Sequence, residues 1–227
     1  MFIVFEGIDG SGKTTISNKV ANRLRKSGLS VTHVREDGTF TSSAAQAIRE
    51  LGRDVRNLML SPLAELMLYL ARDGQSLEEI VLPALPHSDI VISDRYLYSA
   101  QLLATAGRGL APDVVRAIAA PFEARLQPDL AILVDVPPDV ARARRRVSKL
   151  LSPSDKPSSR KGLAGGGLQV KMHRAHRELA EANPGLWLVV DNDDADLSDV
   201  VDAVAAAIAT AHRQGVAAGL AEGRRRL

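Results

Sequence analysis

The chain has the sequence FEGIDGSGKTT at residues 5–15. Residues 7–14 match the phosphate-binding pattern G-x-x-x-x-G-K-[ST] at every defined position. An apolar run at residues 2–5 precedes the loop and predicts a buried strand, and a helical pattern runs from Lys13 to Lys26 directly after it. A strand, a glycine-rich turn and a helix N-terminus in this order form the context in which the pattern binds phosphate.

Each residue type in the loop has a chemical reason to be there. Glycines let backbone N–H groups converge on phosphate oxygens, and the helix N-terminus adds a favourable field for an anion. Lys13 is predicted to reach the β- and γ-phosphates of ATP, and Thr14 to supply a hydroxyl to Mg²⁺. The predicted ATP-binding residues are Gly7, Asp9, Gly10, Ser11, Gly12, Lys13, Thr14 and Thr15.

Outward from the loop, short apolar strands alternate with helical patterns along the chain. Predicted strands cover residues 2–5, 31–34, 89–93, 130–136 and 186–190. Predicted helices cover residues 13–26, 43–51, 62–72, 77–85, 112–126, 138–146, 171–181 and 197–212. Continuous apolar strands between helices indicate a parallel sheet covered on both faces. The expected fold is an α/β P-loop NTPase fold, with about five parallel strands and helices on both sides.

Length and composition fit a single domain with a sizeable core. The chain has 227 residues, 45% of them hydrophobic and 25% charged, which is ordinary for a globular enzyme. We predict one P-loop domain at residues 1–212, with a mobile lid at about residues 147–168, and a C-terminal tail at residues 213–227. Cysteine is absent, which excludes disulfides, zinc–thiolate sites and a cysteine nucleophile.

Charge and hydropathy patterns predict a cytoplasmic enzyme. The 29 basic and 27 acidic side chains give a formal net charge of +2, so no bulk attraction to nucleic acid or to a membrane follows. The N-terminal residues lack the basic start and the long apolar run of a signal peptide. No stretch of about 18 apolar residues predicts a membrane span. We therefore expect neither a membrane nor a nucleic-acid partner.

The phosphate-binding loop alone does not name a reaction, because GTPases, helicases, motors and small-molecule kinases share it. The sequence has no guanine-reading N-K-x-D pattern. It also has no long basic or aromatic surface of the kind typical of helicases. These two absences favour a small-molecule kinase.

Four segments of the sequence resemble bacterial thymidylate kinases. They are FEGIDGSGKTT (5–15), VREDGT (34–39), LYLARDGQSLEEIVLPAL (68–85) and VISDRYLYSAQLLATAGRGL (91–110). The first and fourth are specific in combination, and residues 1 to about 145 and 170 to 205 align with the family. The resemblance implies an enzyme that moves the γ-phosphate of ATP to dTMP to give dTDP, with Mg²⁺ as cofactor and a homodimeric assembly.

The resemblance assigns roles around the phosphate of the acceptor nucleotide. Asp9 occupies the position of the family's carboxylate near the sugar 3′-hydroxyl. Asp94, directly after a predicted strand, is a partner of Mg²⁺ or a helix N-cap. Arg95 would hold the acceptor phosphate with its planar guanidinium fork. Arg35 and Glu36 either border that phosphate or form a surface ion pair.

The resemblance is incomplete in the base and sugar pocket. Tyr69 falls where the family has an aromatic ring that stacks on the base, although a helical aromatic is more often core. Arg72 and Asp73 reverse the family's D-R pair, which turns the arginine by roughly 100° about the helix. Leu103 gives bulk near the 2′ position without the family's tyrosine hydroxyl, and Ser99 completes the predicted substrate site.

These departures predict weaker discrimination between bases and between sugars, because rejection of analogues comes from buried polar groups left unpaired. The carboxylate of Asp73 could instead accept a hydrogen bond from an exocyclic amine, which thymine lacks. A cytosine-type acceptor is therefore an alternative to dTMP.

A basic stretch follows the fourth predicted strand. Its members are Arg142, Arg144, Arg145, Arg146, Lys149, Lys156, Arg160, Lys161, Lys171, Arg174 and Arg177. We predict a lid that carries Arg160 as a catalytic residue beside Lys13 and Arg95, with Arg142 and Arg146 as alternatives. Three glycines at residues 165–167 predict poor order before nucleotides bind. The other interpretation is a solvated basic loop, or one that contacts nucleic acid.

Three functions compete on the sequence alone. The first is a nucleoside monophosphate kinase acting on dTMP. The second is a kinase of the same fold acting on another nucleotide or on a specialised metabolite. The third is a nucleotide-binding regulatory module with little turnover, which the intact set of Lys13, Asp94 and Arg95 disfavours.

A homodimer is expected from the helix predicted at residues 62–72, because it has more apolar side chains than one core face needs. These side chains are Leu63, Leu66, Met67 and Leu70.

Overall fold

The computed structural model describes residues 1–35, 40–57, 59–151 and 165–225. Five parallel strands form one sheet in the order β2-β3-β1-β4-β5. They are β1 (Phe2–Glu6), β2 (Val31–His33), β3 (Ile90–Asp94), β4 (Leu130–Asp135) and β5 (Trp187–Asp191). The predicted α/β fold with a five-stranded parallel sheet is therefore confirmed.

The helices of the described residues lie on both faces of this sheet. They are α1 (Lys13–Lys26), α2 (Ser43–Arg53), α3 (Pro62–Ser76), α4 (Leu82–Ala84), α5 (Leu97–Leu102), α6 (Pro112–Glu123), α7 (Pro138–Leu151), α8 (Gly165–Ala182) and α9 (Leu197–Arg225). A 3₁₀ turn covers Val55–Asn57, and π-helical turns cover Leu77–Val81 and Leu103–Gly107. None of the helices in the described ranges is long and apolar enough to cross a membrane.

Strand β1 lies at the centre of the sheet and is buried along its whole length. Successive side chains of a strand point to opposite faces, so β1 contributes to two apolar layers. Ile3 and Phe5 pack in the layer that contains α1 and α9. Phe2 and Val4 pack in the other layer, with α3, α5, α6 and α8. Burial on both faces explains why the strand is apolar from Phe2 to Phe5.

The carboxyl ends of β1 and β3 meet at one edge of the sheet. In their register, Phe5 lies opposite Asp94, so the loop at residues 7–12 leaves the sheet beside Arg95. Ligands of open parallel α/β sheets bind outside the carboxyl ends of the strands. This edge is therefore where a site is expected.

The helices extend further than the sequence analysis predicted. The glycines at residues 165–167 were predicted to lie in a loop, but they form the first turn of α8. A Cβ on Gly166 would lie 1.7 Å from Nη2 of Arg142, so the absent side chain lets that arginine lie on the helix backbone. The helix predicted to end near residue 212 continues to Arg225, because good helix formers outnumber its glycines. Residues 152–164, the central part of the predicted lid, lie outside the described ranges.

One helical segment was not predicted at all. Residues 97–107 form α5 and the π-helical turn that follows it. Leu97, Ala100, Leu103 and Ala104 are buried there, while the remaining side chains of the segment give no long amphipathic pattern.

Shortening a core side chain of β4 tests this packing. Ile132 is 0% exposed, and Ile132→Ala is expected to lower the free energy of unfolding by about 2–5 kcal/mol, because it leaves a cavity between the sheet and the α1–α9 layer. Urea unfolding measures the change. The matched control is Val114→Ala on α6, where the side chain is 43% exposed and a change within about 0.5 kcal/mol is expected. Equal destabilisation by the two variants would contradict this description of the core.

Candidate phosphate and acceptor site

Three glycines give the loop after β1 its shape. Gly7, Gly10 and Gly12 have φ values of 138°, 95° and 95°, which side-chain-bearing residues rarely adopt. A Cβ on Gly7 would lie 2.5 Å from the carbonyl oxygen of Val134, and one on Gly10 would lie 2.4 Å from that of Ala141. The loop backbone therefore packs directly on β4 and α7 as it turns into the N-terminus of α1.

Lys13 lies beneath this loop and is 6% exposed. Its Nζ donates a hydrogen bond to the carbonyl oxygen of Ile8 at 2.9 Å, which holds the ammonium group against the turn. Burial and the positive charge of Arg95 lower the pKa of Lys13 to about 8, although Asp94, Asp9 and Glu6 favour its charged form. An anion bound in the loop would favour the protonated lysine.

Thr14 and Asp94 join α1 to the end of β3. The hydroxyl of Thr14 donates to Oδ2 of Asp94 at 2.6 Å. The other carboxylate oxygen, Oδ1, is buried and has no hydrogen-bond partner among the described residues. Burial alone would raise the pKa of Asp94, but Lys13, Arg35 and Arg95 together hold it below its ordinary value. Ionised oxygen ligands of this kind suit Mg²⁺, so the residues present fit the cation.

Arg95 occupies the position between the loop and α5. Its φ of 75° lies in the left-handed region, which is unfavourable for a residue with a side chain and is typical of functional sites. Its guanidinium contacts Oδ1 of Asp9 at 2.5 Å, Oγ of Ser99 at 2.6 Å and Oε2 of Glu6 at 3.7 Å. Burial lowers the pKa of Arg95, but the three nearby carboxylates of Asp9, Glu6 and Asp94 raise it above its ordinary value.

Glu6 is a part of this site that the sequence analysis missed. The carboxylate is 0% exposed and accepts hydrogen bonds from the Ser99 hydroxyl and from the backbone N–H groups of Tyr96 and Ser99. Nε2 of His176 lies 3.7 Å away. Burial opposes ionisation, but His176, Arg95 and Ser99 lower the pKa of Glu6. A charged residue that ends an apolar strand was the available signal.

Helix α8 and the segment after β5 also contact the loop, through residues that sequence reasoning did not select. Oε1 of Gln169 accepts a hydrogen bond from the backbone N–H of Asp9 at 3.2 Å. Nδ2 of Asn192 donates to the carbonyl oxygen of Ser11 at 2.7 Å. Both side chains are 6% exposed. Through Gln169, the helix that follows the predicted lid contacts the phosphate loop directly.

Arg35 reaches the same edge from the segment after β2. Its Nη1 lies 3.3 Å from the backbone oxygen of Asp94 and 3.9 Å from Oδ2 of that residue. The side chain is 13% exposed, so it lies inside the site and not on an open surface. Glu36, its predicted companion, is outside the described residues.

The predicted base pocket holds a buried ion pair. Nε and Nη2 of Arg72 contact Oδ1 of Asp73 at 2.7 and 2.6 Å. The Arg72 guanidinium lies 4.9 Å from the ring centre of Tyr69 and 5.5 Å from that of Phe40. Burial raises the pKa of Asp73 despite its arginine partner, and Oδ2 has no hydrogen-bond partner among the described residues.

The remaining predicted residues are placed as follows. Ser11 is buried and Thr15 is exposed on the first turn of α1. Leu103 is 1% exposed and packs in the core layer with α8, so its predicted contact with the sugar stays a prediction. Arg160 lies outside the described residues, and its catalytic role also stays a prediction.

Comparisons with known proteins agree with this geometry. Residues 5–202 match the protein family described as Thymidylate kinase. A thymidylate kinase of Pelobacter propionicus is 33% identical over 209 residues, which cover 91% of this chain and 93% of the relative. One of Trichlorobacter lovleyi is 34% identical over 193 residues, which cover 84% and 89%. One of Lactobacillus delbrueckii subsp. bulgaricus is 36% identical over 205 residues, which cover 89% and 92%. The predicted resemblance is confirmed, and the chain belongs to the thymidylate kinase family.

Proposed function

We infer that this chain is an ATP-dependent nucleoside monophosphate kinase that converts dTMP to dTDP. This inference rests on one observation: the phosphate loop and a separate arginine site lie side by side at one edge of the sheet. Lys13 lies beneath the loop, and Arg95 lies beside it on the acceptor side. The family match favours dTMP over the alternative acceptors and over a regulatory module with little turnover.

The reaction needs the two nucleotides to face each other across Asp9. A phosphate oxygen of dTMP attacks the γ-phosphorus of ATP, and the bond from that phosphorus to the β–γ bridging oxygen breaks. The electron pair of that bond leaves with ADP, so one phosphoryl group moves and no water is consumed. Lys13 and the loop N–H groups hold the donor phosphates, and Arg95 holds the acceptor phosphate.

Thr14 and Asp94 are the residues proposed to hold Mg²⁺, directly or through water. Bound there, the cation would neutralise charge on the β- and γ-phosphate oxygens. The unpartnered Oδ1 of Asp94 and its lowered pKa support this assignment.

Glu6 and Ser99 support Arg95 in this proposal. Ser99 donates to Glu6 and accepts from Arg95, so its hydroxyl links the carboxylate to the guanidinium. Glu6 and Ser99 thus hold Arg95 on its buried side. Asp9 contacts Arg95 on the side that is open to solvent, and the Asp9 side chain is 36% exposed. We expect Asp9 to contact the sugar 3′-hydroxyl once the acceptor phosphate binds Arg95.

The lid at about residues 147–168 and its Arg160 remain part of the proposal. The contact between Gln169 of α8 and Asp9 supports a link between this segment and the site. ATP and dTMP are metabolites of the cytoplasm, which is the proposed compartment.

Removing the cation beneath the loop tests the donor site. Lys13→Ala is expected to abolish detectable transfer, a loss of at least about 100-fold in kcat, because the variant lacks the ammonium group held beneath the loop. A coupled assay for ADP measures it, and circular dichroism checks the fold. Lys19→Ala, an exposed change on the same helix, is the control and should keep wild-type activity. Wild-type turnover by Lys13→Ala would refute the donor site.

A panel of acceptors tests the substrate assignment. Among dTMP, dUMP, dCMP and UMP, we expect the highest kcat/KM for dTMP, because the family match favours it. The margin over UMP is expected to be roughly tenfold to a hundredfold smaller than is usual for the family, since Leu103 is predicted to offer bulk near the sugar but no polar contact. A preference for dTMP by several orders of magnitude would contradict this pocket prediction. A higher kcat/KM for dCMP would overturn the dTMP assignment and favour a hydrogen bond from its amine to Asp73.

A homodimer is proposed through the face formed by α2 and α3. Leu66 and Leu70 are buried in the core, but Leu63 and Met67 lie on the other side of α3 and are 43% and 52% exposed. Leu51 at the end of α2 is 51% exposed. A second copy of the chain is the occupant that family resemblance indicates for this apolar face.

Light scattering at micromolar concentration tests the homodimer and should give twice the chain mass of 24.3 kDa. Met67→Glu places a charge in the proposed interface and should give monomers. Val114→Glu, on the exposed side of α6, is the control that should stay dimeric. A monomeric wild-type protein would rule the proposal out.

A further inference from the structure

Arg145 lies on the phosphate loop. Its Cγ is 3.0 Å from the position that a Cβ on Gly10 would occupy, and the carbonyl oxygen of Ala141 is 2.4 Å from the same point. Ala141 and Arg145 are four residues apart on α7, so they share one face of the helix. That face packs on the middle of the loop. The absence of a side chain at Gly10 therefore leaves room for the aliphatic part of the Arg145 side chain, which comes from α7.

The polar end of Arg145 is not used by the surrounding structure. The side chain is half-buried, and its Nε is fully shielded from water without a hydrogen-bond acceptor among the described residues. Buried donors are almost always paired in folded proteins, so an unpaired Nε on a side chain that packs against the loop is a candidate to bind a ligand there. No carboxylate within residues 1–35, 40–57, 59–151 and 165–225 forms an ion pair with it.

The neighbouring arginines of α7 differ from Arg145 in their placement. Arg144 donates to the backbone oxygens of Asn192 and Asp193 at 2.7 and 2.9 Å. Arg142 is exposed and lies against Gly166. Arg146 is exposed on the next position of the helix. Within the described part of α7, Arg145 is the arginine whose stem touches the loop and whose guanidinium has no protein acceptor.

The loop itself lacks an arginine, since residues 8–11 are Ile-Asp-Gly-Ser. Phosphoryl transfer needs positively charged groups in contact with the transferring phosphoryl group and with the departing diphosphate. Arg95 is engaged by Asp9 and Glu6, and Arg35 contacts Asp94 on the acceptor side. On the proposed donor side, Lys13 is the basic side chain held beneath the loop. A planar guanidinium over Gly10 would add a second cation there.

We propose that Arg145 is a catalytic residue that contacts the phosphate chain of ATP from above Gly10. The inference rests on the proposed kinase function and deepens it. In the transfer step, the phosphorus–oxygen bond to the β–γ bridging oxygen breaks and its electron pair stays on ADP. Arg145 donates hydrogen bonds to the non-bridging oxygens of bound ATP and stabilises the charge that develops on the departing diphosphate.

Arg145 lies on the regular helix α7, before the predicted lid begins. Because α7 is anchored to the loop by the contact of Ala141 with Gly10, the arginine is in position before any lid closes. The role predicted for Arg160 is separate, and loss of Arg145 is expected to affect ATP binding even without the acceptor.

The test compares single variants of the full-length protein with ATP and dTMP. Arg145→Ala is expected to raise the Kd for ATP about tenfold and to lower kcat about a hundredfold, since both the contact and its charge disappear. Arg145→Lys keeps the charge without the fork and should recover part of kcat. Guanidinium added in solution should partly restore Arg145→Ala, which a purely structural role would not allow. Arg116→Ala, an exposed change on α6, is the control expected to behave as wild type.

The outcomes separate this proposal from the kinase assignment. If the wild-type protein phosphorylates dTMP and Arg145→Ala keeps its kcat and ATP affinity, the role of Arg145 is refuted and the kinase function stands. An equal loss in the control Arg116→Ala would also refute it, because the effect would then be one of general charge. If the wild-type protein transfers nothing to dTMP, the acceptor assignment fails. The Kd for ATP then still tests the role of Arg145, because an unchanged Kd in Arg145→Ala would refute its contact with the phosphates of ATP.

Discussion

The close packing of the loop after β1 is the constraint on which the site depends. Gly7 and Gly10 have no room for a Cβ, because carbonyl oxygens of β4 and α7 occupy that space. Asn192 fixes the loop from a third side by its hydrogen bond to Ser11. A turn held on three sides keeps its backbone N–H groups oriented without help from a ligand. Such preorganised donors lose little conformational entropy when phosphate binds. They therefore stabilise bound phosphate more than donors that must be ordered first.

Charge is arranged around this rigid loop in two groups. On the side proposed to bind the acceptor, the carboxylate of Glu6 is buried behind Arg95 and linked to it by Ser99. The arrangement holds the guanidinium in place despite the unfavourable φ of the Arg95 backbone. On the side proposed to bind ATP, Lys13 is held beneath the loop, where burial and Arg95 lower its pKa to about 8. The charged form of Lys13 is therefore partly destabilised without phosphate, and a bound anion would favour it. Despite burial, the pKa of Arg95 is instead raised by its carboxylate neighbours, so its charge is already stabilised.

The sequence was sufficient for the fold and for the phosphate loop because both depend on local patterns. Alternating apolar strands and helices predicted the five-stranded parallel sheet, and the spacing of glycines and Lys13 predicted the loop at residues 7–14. Residue types with specific chemistry, such as Asp94 and Arg95, could be selected because they follow a buried strand.

The contacts between distant segments could not be predicted in the same way. Glu6 and His176 lie far apart in the chain, and nothing in the spacing of α8 shows that His176 faces a buried carboxylate. The contact between Gln169 and Asp9 joins residues 160 positions apart. Sequence reasoning treated the basic residues of α7 as one cluster, whereas helix packing gives Arg144 and Arg145 different surroundings. Such differences depend on the tertiary structure and not on local propensity.

The two cation groups are proposed to serve direct phosphoryl transfer between nucleotides. This is tested by incubating ATP labelled in its γ-phosphate with dTMP and Mg²⁺ and separating the labelled products. The label is expected to appear in dTDP in equal amount to the ADP formed, with little labelled inorganic phosphate, because Arg95 and Asp9 are proposed to hold the acceptor where water would otherwise attack. Label that appears only as inorganic phosphate, or remains entirely in ATP, would contradict it.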